Sequence, residues 1–372
     1  MNKIFLTLTL GALVISSCTE IDTSTIEDYQ GAFILNKGNS ETSTISRFNF
    51  ENMEVTNNLF QEKNNGQTLG AGATAFTVKR SSEYINGRGY ISFAQSGTVD
   101  MINMETFQVE ASIDGLSNPN DIILANETTA YVSCGNGVAD SDKDNIIAKI
   151  DLDTHEVIAT LPVGEGPGKL ISSGKFLYIA NSGGENKDGN TVTVYDMSKD
   201  SLIDVIDVGV QPVDMVVDID RNIWVYCDGD ASGNNQSLYK IERKFVTDEI
   251  VTDSLVHEPK LMVDLGYSEG NGTNALAISK DKRFIYYVHG RTYYRSVYKD
   301  DNTEDQLAIT GTYSDVALNR IDFDHTKSYL YGLLENGTGN GKLLVFTLDD
   351  DKYVLDSEYE VGINPIFTTY IY

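Results

Sequence analysis

The sequence predicts an all-β fold, a seven-bladed β-propeller with four antiparallel strands per blade. Three observations predict it. First, glycine-led turns at Gly70, Gly115, Gly164, Gly209, Gly270, Gly311 and Gly362 recur at intervals of roughly 40–60 residues, the spacing of propeller blades. Second, the runs between them are short and apolar or alternating, and none has helical periodicity. Third, the last copy of the turn, Gly362-Ile-Asn-Pro365, is followed by one strand only, Ile366 to Tyr372, whereas the first unit, Phe33 to Phe60, holds three. The two ends together make one blade, blade one, which closes the ring and removes the exposed sheet edge that an open array would leave.

The internal copies of the turn show the unit in full. Gly115-Leu-Ser-Asn-Pro119, Gly164-Glu-Gly-Pro167 and Gly209-Val-Gln-Pro212 each lead into an inner strand. In the unit after Pro119 the strands are expected at Asp121 to Leu124, Thr129 to Cys134, Ile146 to Asp151 and Glu156 to Val163. Polar turns such as Asp151 to His155 and Asp196 to Asp200 join the third strand to the fourth. The longest unit carries an excess, Arg243 to Pro259, which reads as an insertion in blade five.

Composition agrees. The 372 residues are 41% hydrophobic and 10% aromatic, enough for one large all-β domain, and 32 Gly beside 6 Pro suit many tight turns. A net charge of -27 opposes binding to nucleic acid or to anionic lipid head groups.

The chain divides into three segments. Residues 1–17 read as a signal peptide: Lys3, then the apolar run Ile4 to Ile15, too short to span a membrane as a helix. Ile15-Ser16-Ser17-Cys18 resembles a bacterial lipobox, which implies cleavage before Cys18 and acylation of its thiol. Residues 18–30, with Glu20, Asp22, Glu27 and Asp28, read as an acidic flexible tether. Such a stretch resembles the surface-export signal of Bacteroidota lipoproteins and implies an outer-membrane, lipid-anchored, cell-surface location, with periplasmic retention as the alternative. Residues 31–372 form the propeller. The remaining thiols, Cys134 and Cys227, hold equivalent places in blades that are not neighbours, so two free buried cysteines are expected.

Tyr178-Ile-Ala-Asn181, followed by Asn190-Thr-Val-Thr-Val-Tyr-Asp196, resembles the propeller family with the Tyr-Val-Thr-Asn repeat. That resemblance covers Gly31 to Tyr372 and speaks to fold, not activity.

Catalytic motifs fail. Gly266-Tyr-Ser268-Glu-Gly270 joins two strands, where a nucleophile elbow needs a strand and a helix. Gly164-Glu-Gly-Pro-Gly168-Lys169 lacks both the helix and the Ser/Thr of a phosphate loop. His155, His257, His289 and His325 share no ligand spacing. Asp140, Asp142 and Asp144 alternate in one loop and are a candidate calcium site, the alternative being a solvated acidic loop.

What remains is a set of amides and aromatics on the face where second strands end and inner strands begin. The candidate ligand residues are Asn36, Lys37, Phe93, Gln95, Asn136, Asn181, Asp228, Asn235, His289, Arg291, Tyr293, Tyr294 and Asn336. Amides beside aromatic plates suit a large, neutral, hydrogen-bond-rich ligand better than they suit catalysis. Lipobox, acidic tether and seven-bladed propeller together resemble the surface cobalamin-capturing lipoproteins of gut Bacteroidota, the BtuG family. The resemblance implies a non-enzyme that binds vitamin B12 or other corrinoids and passes them to a TonB-dependent outer-membrane transporter. His289 is then a candidate cobalt ligand, the alternative being a rim or core histidine. Two alternatives stay open: a glycan- or protein-binding surface propeller, and a propeller lyase or lactonase. The second would need a central acidic metal site, for which Asp121, Asp214 and Asp315 are the nearest set, with Lys169 interrupting it.

Overall fold

In the computed structural model the described residues are 30–371, apart from 80–86, 136–144, 185–187, 247–253, 268–275, 298–303, 308, 311–315, 317, 325–328 and 351. They form seven sheets. Blade two runs Ala73–Lys79, Arg88–Phe93, Thr98–Asn103, Val109–Ile113, and blade three Pro119–Leu124, Thr129–Cys134, Ile146–Asp151, Glu156–Pro162. Blade four runs Pro167–Ser173, Phe176–Asn181, Thr191–Asp196, Ser201–Asp207, and blade five Pro212–Val217, Ile223–Cys227, Gln236–Val246, Ser254–Gly266. Blade six runs Leu276–Ile278, Phe284–His289, Thr292–Val297, Glu304–Leu307, and blade seven Arg320–Phe323, Leu330–Asn336, Gly339–Asp349, Lys352–Ile363. Blade seven has one addition, the two-residue strand Ile309–Thr310, which pairs in parallel with Tyr353 and Val354 on its outer edge.

Blade one is shared by the two ends of the propeller, as the unmatched strand predicts. Its order is Pro365–Ile371, Gly31–Asn36, Thr44–Asn49, Val55–Thr56. Ile34 lies opposite Thr368 on one side and Ser46 on the other. All six residues of Gly31–Asn36 are buried, as suits a strand covered on both edges and both faces. Phe60, placed in a strand by the sequence reading, lies instead in a short helix, Leu59–Lys63. Leu59 and Phe60 turn inward to join Phe33, Leu35 and Phe76, so the expected strand yields to a helical turn that places both side chains in the packing between blades one and two.

The core is divided among the gaps between blades. Each of seven apolar clusters combines the facing sides of two neighbouring sheets. At the closing gap, Ile34 and Phe48 of blade one meet Tyr331, Leu333 and Val361 of blade seven. The excess in blade five lengthens its third and fourth strands into a hairpin, with Arg243 opposite His257. That hairpin is bound sideways to blade four. The Tyr178 hydroxyl donates to His257 Nε2 at 3.0 Å, and His257 Nδ1 donates to Asp204 Oδ2 at 3.1 Å. Arg243 donates to Ser173 Oγ at 2.6 Å and lies over the ring of Phe176. The two internal cysteines, Cys134 and Cys227, are free and buried, as expected.

Candidate functional site: the mouth of the central channel

The recurring turn brings every second strand to an end beside the start of an inner strand. Pro119 pairs with Cys134, Pro167 with Asn181, Pro212 with Cys227 and Pro365 with Asn36. All these pairs lie on one face, here the turn face. The residue before each proline is left-handed: Asn118 at φ 42°, Gly166 at 60°, Gln211 at 56° and Asn364 at 52°. The turn is then held from across the blade. Ser182 and Gly183 donate their N–H groups to Gly166 and Glu165, Asp228 and Gly229 donate to Gln211 and Val210, and Lys37 and Gly38 donate to Asn364 and Ile363. The leading glycine has its own reason. A Cβ at Gly164 would lie 2.8 Å from the Asn181 side chain, and one at Gly362 would lie 2.7 Å from that of Asn36.

That packing changes the reading of several candidates. Asn36, Phe93, Asn181 and His289 all end second strands, but three of them are core residues and not rim donors. Asn36 is fully buried and donates to Ser46 Oγ at 2.9 Å; Asn181 donates to Thr193 Oγ1 at 2.8 Å and Thr191 Oγ1 at 3.0 Å. These amides hold the third strand against the second. Phe93 packs with Leu69, Ala73 and Ile91. His289 is half-buried, and burial pushes its imidazole below the usual value against a backbone contact at Tyr267. Tyr294 is stacked on Tyr287 with ring centres 5.2 Å apart, inside blade six. Lys37, Gln95, Asn235, Arg291 and Asn336 are exposed, and Asp228 is half-buried, accepting from Gln236 Nε2 at 3.1 Å. Asn136, the side chain of Tyr293, the acidic loop Asp140, Asp142 and Asp144, and Cys18 lie outside the described residues, as do Asp315 and most of Gly266 to Gly270.

The geometry converges on the channel instead. A cavity of about 440 Å3 opens on the turn face, lined among others by Thr74, Asn120, Asp121, Lys169, Ser182 and Arg320, with Ile366 of the closing strand in its wall. Asp121, Lys169 and Asp214 hold one repeat position, two residues beyond the proline of the turn, where each inner strand has a register shift. The carboxylates do structural work there. Asp121 Oδ2 accepts the N–H of Leu170 in the next blade at 2.9 Å, and Asp214 Oδ2 accepts that of Leu276 at 2.9 Å. Their Oδ1 atoms accept the amides of Ile122 and Met215. Lys169 Nζ stands 3.3 Å from Asp121. Burial works against the charge of Arg320, but the carboxylates of Asp214, Asp322 and Asp121 outweigh it and hold the guanidinium more firmly protonated than usual.

Among the described residues the channel mouth is thus a belt of alternating charge: Asp121, Lys169, Asp214 and Arg320. Among the described residues no three His, Cys, Asp or Glu side chains gather as a metal site. Among them, too, no helix is long and apolar enough to cross a membrane. Lys169, read in the sequence as an interruption, is a member of the belt; its place two residues after Pro167 was the available signal. Arg320 gave none, because no proline marks the turn of its blade.

Solved structures resemble the whole architecture at low sequence identity. A quinonprotein alcohol dehydrogenase-like protein from Bacteroides thetaiotaomicron superposes with a TM-score of 0.63 at 17% identity, covering 92% of this chain and 78% of its own. A protein from Lactobacillus plantarum gives 0.65 at 13% identity, covering 92% and 100%. The hydrazine synthase of Kuenenia stuttgartiensis gives 0.53 at 17% identity, covering 84% and 95%. At such identities these likenesses concern the fold alone. No curated protein matches the chain. Residues 30–324 match the family described as Domain of unknown function (DUF5074), and the chain belongs to that family.

Proposed function

We propose that this protein captures a ligand without transforming it, seating a hydrogen-bond-rich molecule on the turn face with one polar group in the channel mouth. The observation that carries this reading is the state of the channel carboxylates. Asp121 and Asp214 are tied to backbone amides of the next blade and neighboured by Lys169 and Arg320, so neither is poised as an acid, a base or a metal ligand. The cavity joins two cations and the Asp121 carboxylate to amide and hydroxyl groups, a combination that suits a strongly polar substituent, able to donate and accept, on a larger neutral body.

A corrinoid has that chemistry: a fringe of carboxamides, an apolar macrocycle edge and one phosphodiester. The cavity would receive the phosphodiester or one amide arm, with the macrocycle resting across the face. The lipobox at Cys18 and the acidic tether support anchorage at the outer-membrane surface, and with it delivery to a TonB-dependent barrel. Calorimetry of the chain from Thr19 onward with cyanocobalamin tests the reading. Saturable heat is expected, with at least about tenfold weaker binding, or about 1.4 kcal/mol, in Lys169→Met. No heat at about micromolar protein sinks the corrinoid assignment, and metal-dependent turnover of a lactone or glycan would sink the non-catalytic one.

A further inference from the structure

A second cavity, of about 370 Å3, lies apart from the channel over the turn-face edge of blade one. Its wall combines Gly38, Asn39, Thr42 and Thr44 of one loop, Asn58 and Gln61 at the start of the short helix, Asn340 of blade seven, and the Gly362–Ile363 turn. Not one of these lining residues is charged, in a chain of net charge -27. None is aromatic either, so recognition here rests on hydrogen bonds and not on stacking.

The polar atoms of this pocket are unevenly satisfied. Gln61 Oε1 is buried and accepts no hydrogen bond. Buried acceptors of this kind cost on the order of 1–3 kcal/mol each unless a donor reaches them. Asn39 has its carbonyl oxygen filled by the amides of Glu41 and Thr42, which leaves its NH2 as a donor. Asn340 has the opposite arrangement, its NH2 given to Glu360.

We infer that this seam pocket binds a neutral polyhydroxyl ligand, a sugar residue, through paired amide donors and acceptors. Sugar hydroxyls both donate and accept, which matches the unfilled Gln61 acceptor beside the Asn39 amide donor. A hard cation fits less well, because the wall offers no carboxylate and the volume lies in the range of roughly 300–1,000 Å3 that organic ligands occupy. Such a ligand would bridge the beginning and the end of the propeller, since Lys37 and Gly38 already bond across this seam to Asn364 and Ile363.

The test is saturation-transfer NMR on the whole chain with D-glucose, D-galactose, D-mannose and N-acetyl-D-glucosamine, paired with thermal melting in each sugar. Transfer from at least one sugar is expected, with a rise in Tm at saturation. Gln61→Leu and, should that variant not fold, the exposed Asn340→Leu should weaken both effects at least tenfold. Lys169→Met should leave both unchanged, which separates this pocket from the channel mouth. No transfer from any sugar at about 20 mM, weaker than nearly all specific binding, overturns the inference. So does transfer that survives both seam substitutions, or a Tm that responds to Ca2+ through Gln61 and to no sugar.

Discussion

The carboxylate of Asp214 accepts the backbone N–H of Leu276 at 2.9 Å, across the boundary between blades five and six. Asp121 does the same for Leu170 between blades three and four. Each aspartate therefore fastens its own strand, through the neighbouring amide, and the next blade as well. At these two boundaries the polar attachment near the axis adds to the apolar packing of the gap.

Replacing Asp214 by alanine should strand the Leu276 amide in a buried setting. A loss of about 2–3 kcal/mol is expected, from a charge-assisted bond and an unsatisfied donor. Urea unfolding followed by the fluorescence of the single tryptophan, Trp224, measures it. Trp224 is fully buried on the same blade, and its indole donates to Asp218 at 3.1 Å.

Stability should fall in two steps as pH drops. His257 is buried, and burial pushes its imidazole below 6.5, against the pull of Asp204. Protonation therefore favours the unfolded chain: the stabilisation is complete above pH 6.5 and is lost as pH falls through the lower folded value. Asp196 gives the second step. Burial opposes its charge, but Lys175 and Ser198 overcome this and hold the carboxyl at about 2, down from 3.8. Its contribution is present above pH 3.8 and disappears as pH falls toward about 2. Melting as a function of pH should show the upper step missing in His257→Gln and the lower one missing in Asp196→Asn.

Both internal thiols should be inert in the native protein. Cys227 is fully buried, and burial pushes its thiol up to about 12, so the thiolate that reacts with disulfide reagents is scarce at neutral pH. A disulfide reagent should label Cys134 and Cys227 only in denaturant. Labelling of the native state at a rate similar to the unfolded state would contradict the packing described.

Deletion of Pro365–Ile371 should abolish cooperative folding. It uncovers one whole edge of Gly31–Asn36, whose residues are buried on every side, and removes the wall that Ile366 gives the channel. Loss of the sigmoidal thermal transition is the expected result. A folded, merely destabilised protein would show that the other strands of blade one close the ring unaided.

How much of this was legible beforehand follows from what repeats. The glycine and proline of the turns at Pro119, Pro167 and Pro212 recur because backbone geometry at the turn face demands them, so Gly362-Ile-Asn-Pro365 announced its strand. The site was harder. Asn36 and Asn181 resemble rim donors in the sequence, but they end strands at a point where the leading glycine leaves room for a buried side chain. Whether an amide there faces water or Ser46 and Thr193 depends on the neighbouring strand, which the local pattern does not record. Lys169 was visible as a break in an acidic series, but only the ring geometry turns a break into a counter-charge. Gln61 had no signal, because its pocket is assembled from residues of blade one, blade seven and the helix between blades one and two.

The shared first sheet also sets a timetable. Ile34 pairs with Thr368, and Gly362 donates to Ser46 Oγ across 316 residues of chain, so Gly31–Asn36 gains its last partner only once the far side of the ring has been made. Contacts of such separation form late and slowly. A chain that has not yet made Pro365–Ile371 therefore carries one hydrophobic ribbon with a bare edge. Such an edge is a template for pairing with a second copy, a hazard that ends when Pro365–Ile371 takes its place.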